Sequence, residues 1–209
     1  MNDATQLGHV GQPAWHPDGR HIAFQAEKAG IPKRLERATE PGGGVLNDLW
    51  VVDLDTLRFA RLVELRFDLS PDAPAILHPH FSRDGTKLLW AERVGRGPKP
   101  FGSWVMRLAE FEGGPGTPRL SNVRTLTPGQ AEPRPGEGSF YETHDFSPGD
   151  THILYSSDVE RGLKLYELEL ATGGVRRLTD DPRGWDEHAH YSPDGDRKSV
   201  GWGKRGDSG

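Results

Sequence analysis

Short apolar stretches of strand length recur along the chain, and no segment sustains a helical period. The clearest is Leu163–Leu170 (LKLYELEL), where Leu163, Leu165, Leu168 and Leu170 are punctuated by Lys164, Glu167 and Glu169 around a central Tyr166. A near-two-residue period of this kind predicts a half-buried strand. Thr151–Ser156 precedes it with Ile153, Leu154 and Tyr155, and Tyr141–Ser147 comes before that. After Thr172-Gly173-Gly174 the chain continues as Val175–Thr179, a short edge strand. The Gly-Gly pair predicts a hairpin, so the last two strands should be antiparallel neighbours. Two earlier groups follow the same order. His21–Ala26 matches Lys87–Glu92 (KLLWAE), Leu49–Leu54 matches Ser103–Ala109, and Leu57–Leu65 matches Val123–Thr127. Their small, β-branched and aromatic residues suit strands buried on both faces. The pattern predicts an all-β chain.

A turn punctuates these groups. Trp15-His16-Pro17-Asp18-Gly19 returns as Phe81-Ser82-Arg83-Asp84-Gly85, Phe146-Ser147-Pro148-Gly149-Asp150 and Tyr191-Ser192-Pro193-Asp194-Gly195. Anchored on Pro17, Arg83, Pro148 and Pro193, the intervals are 66, 65 and 45 residues. The last is the length of one four-stranded propeller blade. The two longer ones require insertions, and Gly/Pro-punctuated stretches at Ala29–Gly44, Gly95–Pro100, Gly113–Pro118 and Pro128–Gly138 supply them as surface loops. The expected fold is a β-propeller of four-stranded antiparallel blades, with blades at about 9–65, 76–127 and 140–180 and the start of another at 185–195. Three blades and the start of a fourth leave a ring incomplete, since propellers have typically 4–8. Part of a six- or seven-bladed protein is the expectation. After Gly195 an apolar strand is due, but DRKSVGWGKRG is polar and glycine-rich, so residues 196–209 read as an aberrant, non-native tail without a strand.

Composition narrows the function classes. The net charge of −5 is spread along the chain and offers no basic field to nucleic acid. There are no cysteines, so disulfides and thiolate metal sites are excluded. No stretch approaches the roughly 20 apolar residues of a membrane helix. The opening MNDATQLGHV has neither the basic nor the apolar region of a secretory signal.

The repeats themselves resemble a known family. PAWHPDGRHIAF, PHFSRDGTKLLW, HDFSPGDTHILY and HYSPDG, with DLWVVDLDT and LKLYELELATGGVRRLTDD, are similar to the WD40-like PD40 repeats of TolB-type bacterial propellers. The resemblance implies that each blade's innermost strand ends at the aromatic-led turn. It also implies a periplasmic setting and a protein or saccharide partner. The same repeats resemble the propeller of prolyl-oligopeptidase relatives. No G-x-S-x-G elbow is present, and a cysteine nucleophile is impossible. Asp53/Asp55 and Asp180/Asp181 sit at turns that aspartate stabilises. Gly42-Gly43-Gly44 lacks the Lys-Ser/Thr of a phosphate loop.

Histidines cluster just before the turns. His78 and His80 flank Pro79, and His188 and His190 flank Ala189; Thr143, His144 and Asp145 occupy the matching stretch of the third repeat. Residues two apart in a strand point the same way, so each His-x-His pair would present two imidazoles to one site. With Asp145 and Glu187 they form a candidate divalent-metal set. The alternative is a polar, hydrogen-bonded channel lining. His9, His16, His21 and His152 fall outside this register and read as surface or turn residues. Thr143-His144-Asp145-Phe146 and His188-Ala189-His190 also resemble histidine motifs of the oligogalacturonate lyases. That resemblance implies His144, His188 and His190 as ligands of Mn²⁺ or a similar ion. The family's glutamine ligand is matched by Trp185, which cannot bind metal, and no catalytic arginine can be placed. Two functions are therefore expected. The first is a non-catalytic propeller scaffold that binds a partner, with no catalytic or cofactor residues. The alternative is a metal-dependent polysaccharide lyase with its site in the channel, where the ion would act as a Lewis acid.

Overall fold

Three four-stranded antiparallel sheets follow one another along the chain, and a two-stranded sheet comes last. The computed structural model describes residues 7–30, 43–114, 116–126, 128, 138–160, 162–181, 184–195 and 198–202. Most of the insertions expected at Ala29–Gly44 and Pro128–Gly138, and residues 196–197 and 203–209 of the tail, lie outside the described residues. The first sheet holds β1 (Val10–Trp15), β2 (His21–Glu27), β3 (Asn47–Asp53) and β4 (Arg58–Val63). The second holds β5 (Ala75–Phe81), β6 (Lys87–Gly95), β7 (Ser103–Glu112) and β8 (Arg119–Leu126). The third holds β9 (Tyr141–Phe146), β10 (His152–Ser157), β11 (Lys164–Glu169) and β12 (Val175–Arg177), and the last β13 (Asp186–Tyr191) and β14 (Lys198–Trp202). Strands within each sheet lie in chain order, as in propeller blades. Among the described residues, no helix is long and apolar enough to cross a membrane.

Two strands depart from expectation. β8 starts at Arg119 rather than near Val123, because β7 runs on to Glu112 and the pairs Phe111↔Leu120 and Glu112↔Arg119 extend the hairpin. Before Val123 only Leu120 is apolar, between the polar residues Arg119, Ser121 and Asn122, so little hydrophobic signal marks the start. β14 forms where the sequence led us to expect no strand. Its backbone pairs antiparallel with β13, from Asp186↔Trp202 to Tyr191↔Lys198. Ladder hydrogen bonds need backbone groups rather than apolar side chains, so a polar segment next to an unpaired edge can extend the sheet.

The first strand of each sheet sits beside the first strand of the next: β1 meets β5, β5 meets β9, and β9 meets β13. These are the inner strands, and each ends at the repeated aromatic-led turn. The turn closes alike in each blade, with His16 N donating to His21 O, Ser82 N to Lys87 O and Ser147 N to His152 O. The core lies between sheets. Ala23, Leu49 and Val51 of the first sheet pack on Ile76, Phe81, Leu88 and Trp90 of the second. Leu89, Met106 and Leu108 then pack on Phe146, Ile153 and Tyr155 of the third. Leu154 and Leu165 in turn pack on Ala189 and Tyr191.

Candidate functional site

Every inner strand carries one extra residue at the same place. In β5, Leu77 pairs with Ala91 and His80 with Leu89, so His78 and Pro79 together stand opposite Trp90. Gln12 and Pro13 do the same in β1, and His188 and Ala189 in β13. In β9 the shift falls between the Thr143↔Tyr155 and Asp145↔Leu154 pairs, which leaves His144 as the extra residue. Gln12, His78 and His188 adopt positive φ of 51°, 48° and 56°. A bulge of this kind re-aims side chains and breaks the two-residue alternation.

The bulge therefore splits each His-x-His pair, contrary to the regular-strand expectation. His78 turns toward β9, its Nδ1 lying 2.8 Å from Glu142 Oε1 without hydrogen-bond alignment. Its ring centroid lies 6.0 Å from that of His188, and His188 lies 6.4 Å from His144. His80 instead donates through Nε2 to the Thr143 carbonyl at 3.0 Å, and loss of hydration together with nearby His78 pushes its imidazole down to about 3. His190 turns to Asp145, 3.7 Å away, and that carboxylate raises the pKa of the ring. Asp145 also accepts from Arg83 Nη2 at 2.8 Å and from the Tyr191 amide at 3.2 Å. Arg83 and Asp145 thereby tie two neighbouring turns together.

His144 is buried and committed. Ser156 Oγ gives its hydrogen to the Asp186 carbonyl at 2.6 Å, so His144 Nε2 must donate to Ser156 Oγ, 2.7 Å away. Burial and the neighbouring histidines hold this imidazole well below its usual range. The set His144, His188 and His190 is thus divided: His144 and His188 are ring neighbours, and His190 faces the Asp145–Arg83 pair. The ligand-type atoms that do converge belong to Glu142, Glu187 and His188, all within 4.8 Å of one another. Glu187 and His188 were legible as candidates, and Glu142 was not. A register signal existed, because Glu142 and Glu187 both stand four residues before the turn aromatic in successive repeats.

These groups line a cavity of about 530 Å³, together with Gln12 and His78. Its other wall is aromatic: Phe101 lies 5.2 Å from Phe140 and 5.4 Å from Trp185, and Trp104 stands edge-on to Phe140 at 5.4 Å. Phe101 and Trp185 are each 40% exposed, so that wall faces solvent. A larger cavity of about 850 Å³ lies between the 68–73 loop and the end of β6 with the 96–100 loop that follows it, and no histidine lines it.

A second trio, His16, Asp18 and His21, also brings its ligand-type atoms within 4.8 Å. Its atoms are committed to the turn. His16 Nε2 donates to the Gly85 carbonyl at 2.8 Å, which leaves Nδ1 to accept from the Asp18 amide, and His21 Nδ1 lies 2.7 Å from Asp18 Oδ2. His21, expected as a surface or turn residue, does bond to Asp18 of the turn, but it is 1% exposed, because it packs with His16 against Phe111.

No protein-family model matches the chain. It is 25% identical to dipeptidyl-peptidase 5 of Porphyromonas gingivalis over 215 residues, covering 91% of this chain and 29% of that protein. TolB from Acinetobacter baumannii superposes with a TM-score of 0.60 at 19% identity, over 95% of this chain and 39% of that one. A puromycin-hydrolyzing peptidase of Mycobacterium tuberculosis gives the same TM-score at 18% identity, over 93% and 28%. The chain spans well under half the length of each of these three proteins. None of this lends support to the lyase reading. The likeness is one of fold, and the chain has the β-propeller architecture found in TolB and in prolyl-oligopeptidase-type peptidases.

Proposed function

We propose that these blades form part of a larger propeller and act as a non-catalytic scaffold that receives a polypeptide segment in the inner-strand cavity. The observation that carries this reading is the chemistry of that cavity. An aromatic wall, exposed at Phe101 and Trp185 and buried at Trp104 and Phe140, faces a polar floor of Gln12, His78, Glu142, Glu187 and His188 across about 530 Å³. Apolar walls with a few fixed polar groups are the usual composition of binding sites, and exposed tryptophan is a frequent anchor at interfaces. A polypeptide can set an apolar side chain against Trp185 and Phe101 while its amides meet the polar floor. Resemblance to both TolB and the peptidases agrees with a polypeptide partner, and a saccharide is the competing outcome.

The test is a tryptophan-fluorescence titration of the chain with short unstructured peptides and, separately, with a neutral oligosaccharide. We expect saturable peptide binding that weakens about tenfold or more in Trp185→Ala and Phe101→Ala, a loss of about 1.4 kcal/mol or more. Mass spectrometry of the recovered peptide should show no cleavage. Oligosaccharide binding in place of peptide, peptide hydrolysis by the chain, or variants that bind like the parent would each overturn the reading.

A further inference from the structure

The geometry points to a divalent transition-metal site formed by Glu142 of β9 and Glu187 and His188 of β13, with His78 of β5 as a fourth donor. Three inner strands converge here, and the bulges at His78 and His188 turn their rings toward the carboxylates. The ligand-type atoms of Glu142, Glu187 and His188 lie within 4.8 Å of one another, so donors at about 2.0–2.2 Å from a common ion require only small side-chain rotations.

A second observation is independent of that spacing. The Glu142 side chain is 4% exposed, and its Oε2 has no hydrogen-bond partner. A buried carboxylate oxygen without a partner is costly, and a second carboxylate nearby adds repulsion. Among the described residues, the neighbouring cations do not resolve this. Arg93 lines the same cavity, but its terminal nitrogens donate to the Ala73 and Pro71 carbonyls at 3.1 and 2.9 Å. His78 approaches Glu142 Oε1 without alignment for a hydrogen bond. A cation bound between the strands satisfies both carboxylates together.

The donor set selects the ion. Two carboxylates and one or two imidazoles form a mixed N/O site suited to Zn²⁺ and its first-row neighbours, whereas Ca²⁺ takes oxygen donors. His188 is exposed at the cavity mouth and gives the ion a path in. This site differs from the set His144, His188 and His190, and it stands whether or not the cavity binds a peptide.

The experiment titrates Zn²⁺ into the tag-free chain by calorimetry, without peptide, and follows thermal stability in parallel. We expect one saturable site and a rise in Tm with Zn²⁺. His188→Ala and Glu142→Gln should each weaken binding at least tenfold and abolish the rise, whereas His190→Ala and His16→Ala leave both unchanged. Circular dichroism checks folding, and if Glu142→Gln does not fold, Glu187→Gln carries the same expectation. Absence of a saturable site overturns the proposal. So does binding lost in His190→Ala or His16→Ala but kept in His188→Ala, or Ca²⁺ uptake at the same site that His188→Ala leaves intact.

Discussion

Glu167 shows how far one residue's neighbours outweigh its burial. Its Oε1 accepts from Tyr191 Oη at 2.6 Å, Oε2 accepts from Arg176 Nη2 at 2.5 Å, and Lys198 Nζ lies 3.3 Å away. Burial alone would raise its pKa, but the tyrosine, the guanidinium and the ammonium hold it down to about 2. A carboxylate whose pKa is depressed on folding adds stability above its unfolded value of about 4.3, and that stability disappears as pH falls toward the folded value. Chemical denaturation between pH 5 and pH 2, values set about those two pKa limits, should therefore show the parent losing stability more steeply than Glu167→Gln; parallel profiles would refute the assignment. Lys198 belongs to the segment that the sequence presented as an aberrant tail, yet it also lies 4.9 Å over the Tyr191 ring. At this scale the sequence was partly legible. The histidines before the turns do lie on the inner strands, but their grouping depends on a bulge, and a bulge is a property of two paired strands that neither strand's residues announce. Glu142 was missed for a related reason: it lies just before Thr143, His144 and Asp145, the residues on which the strand was read, and its nearness to Glu187 and His188 exists only once β13 is beside it.

The turns gave the strongest sequence signal, and their structure explains the preference at the last position. Gly19, Gly85 and Gly195 have φ of 69°, 74° and 78°, and in the third repeat Asp150 occupies the same place at 54°. An aspartate is tolerated in the left-handed region less well than glycine. Here Asp150 also accepts from the Arg83 and Asp84 amides of the preceding turn, at 2.7 and 2.9 Å, which offsets the strain. Successive turns are therefore in contact, and two glycines that look equivalent in sequence should respond differently to substitution. A Cβ on Gly19 meets nothing within 4 Å, whereas one on Gly85 would stand 2.6 Å from His16 Nε2 and 3.0 Å from Pro17 Cγ. Gly19→Ala should cost only the left-handed strain, about 1–2 kcal/mol. Gly85→Ala should cost more, since it also displaces the His16 ring from the Gly85 carbonyl. Urea unfolding of the two variants decides it; equal losses would mean that the contact between turns contributes nothing. The central strands were readable because both faces are buried and the residues are correspondingly apolar. The ends of β7 and β8, and the whole of β14, were not, because their pairing rests on backbone groups and their sequences are polar or glycine-rich rather than apolar.

At the scale of the molecule, the position of a residue in the stack of sheets decides what its burial is worth. The turn-leading aromatic is 7% exposed in Phe81, 0% in Phe146 and 7% in Tyr191, but 62% in Trp15. The first three sit against residues of the sheet before them: Phe81 on Ala23 and Leu49, Phe146 on Leu89 and Met106, Tyr191 on Leu154 and Leu165. Trp15 belongs to the first sheet among the described residues, so it has no such neighbour. The sequence makes the four positions interchangeable, because each is an aromatic before a turn, and their energetic difference exists only in the assembled stack. A stack in which each sheet buries its face on the next gains its stability from interfaces between neighbours. Phe146→Ala should therefore cost about 3–5 kcal/mol, the range for a fully buried aromatic. Hydrogen exchange should then speed up in β6 and β7 as well as in β9 and β10, because the lost contacts belong to both sheets. Trp15→Ala should change stability by less than about 0.5 kcal/mol, as an exposed position does, and leave exchange in the second and third sheets untouched. Comparable losses from the two substitutions, or exchange confined to β9 and β10 in Phe146→Ala, would show that the sheets are stable individually and that stacking adds little.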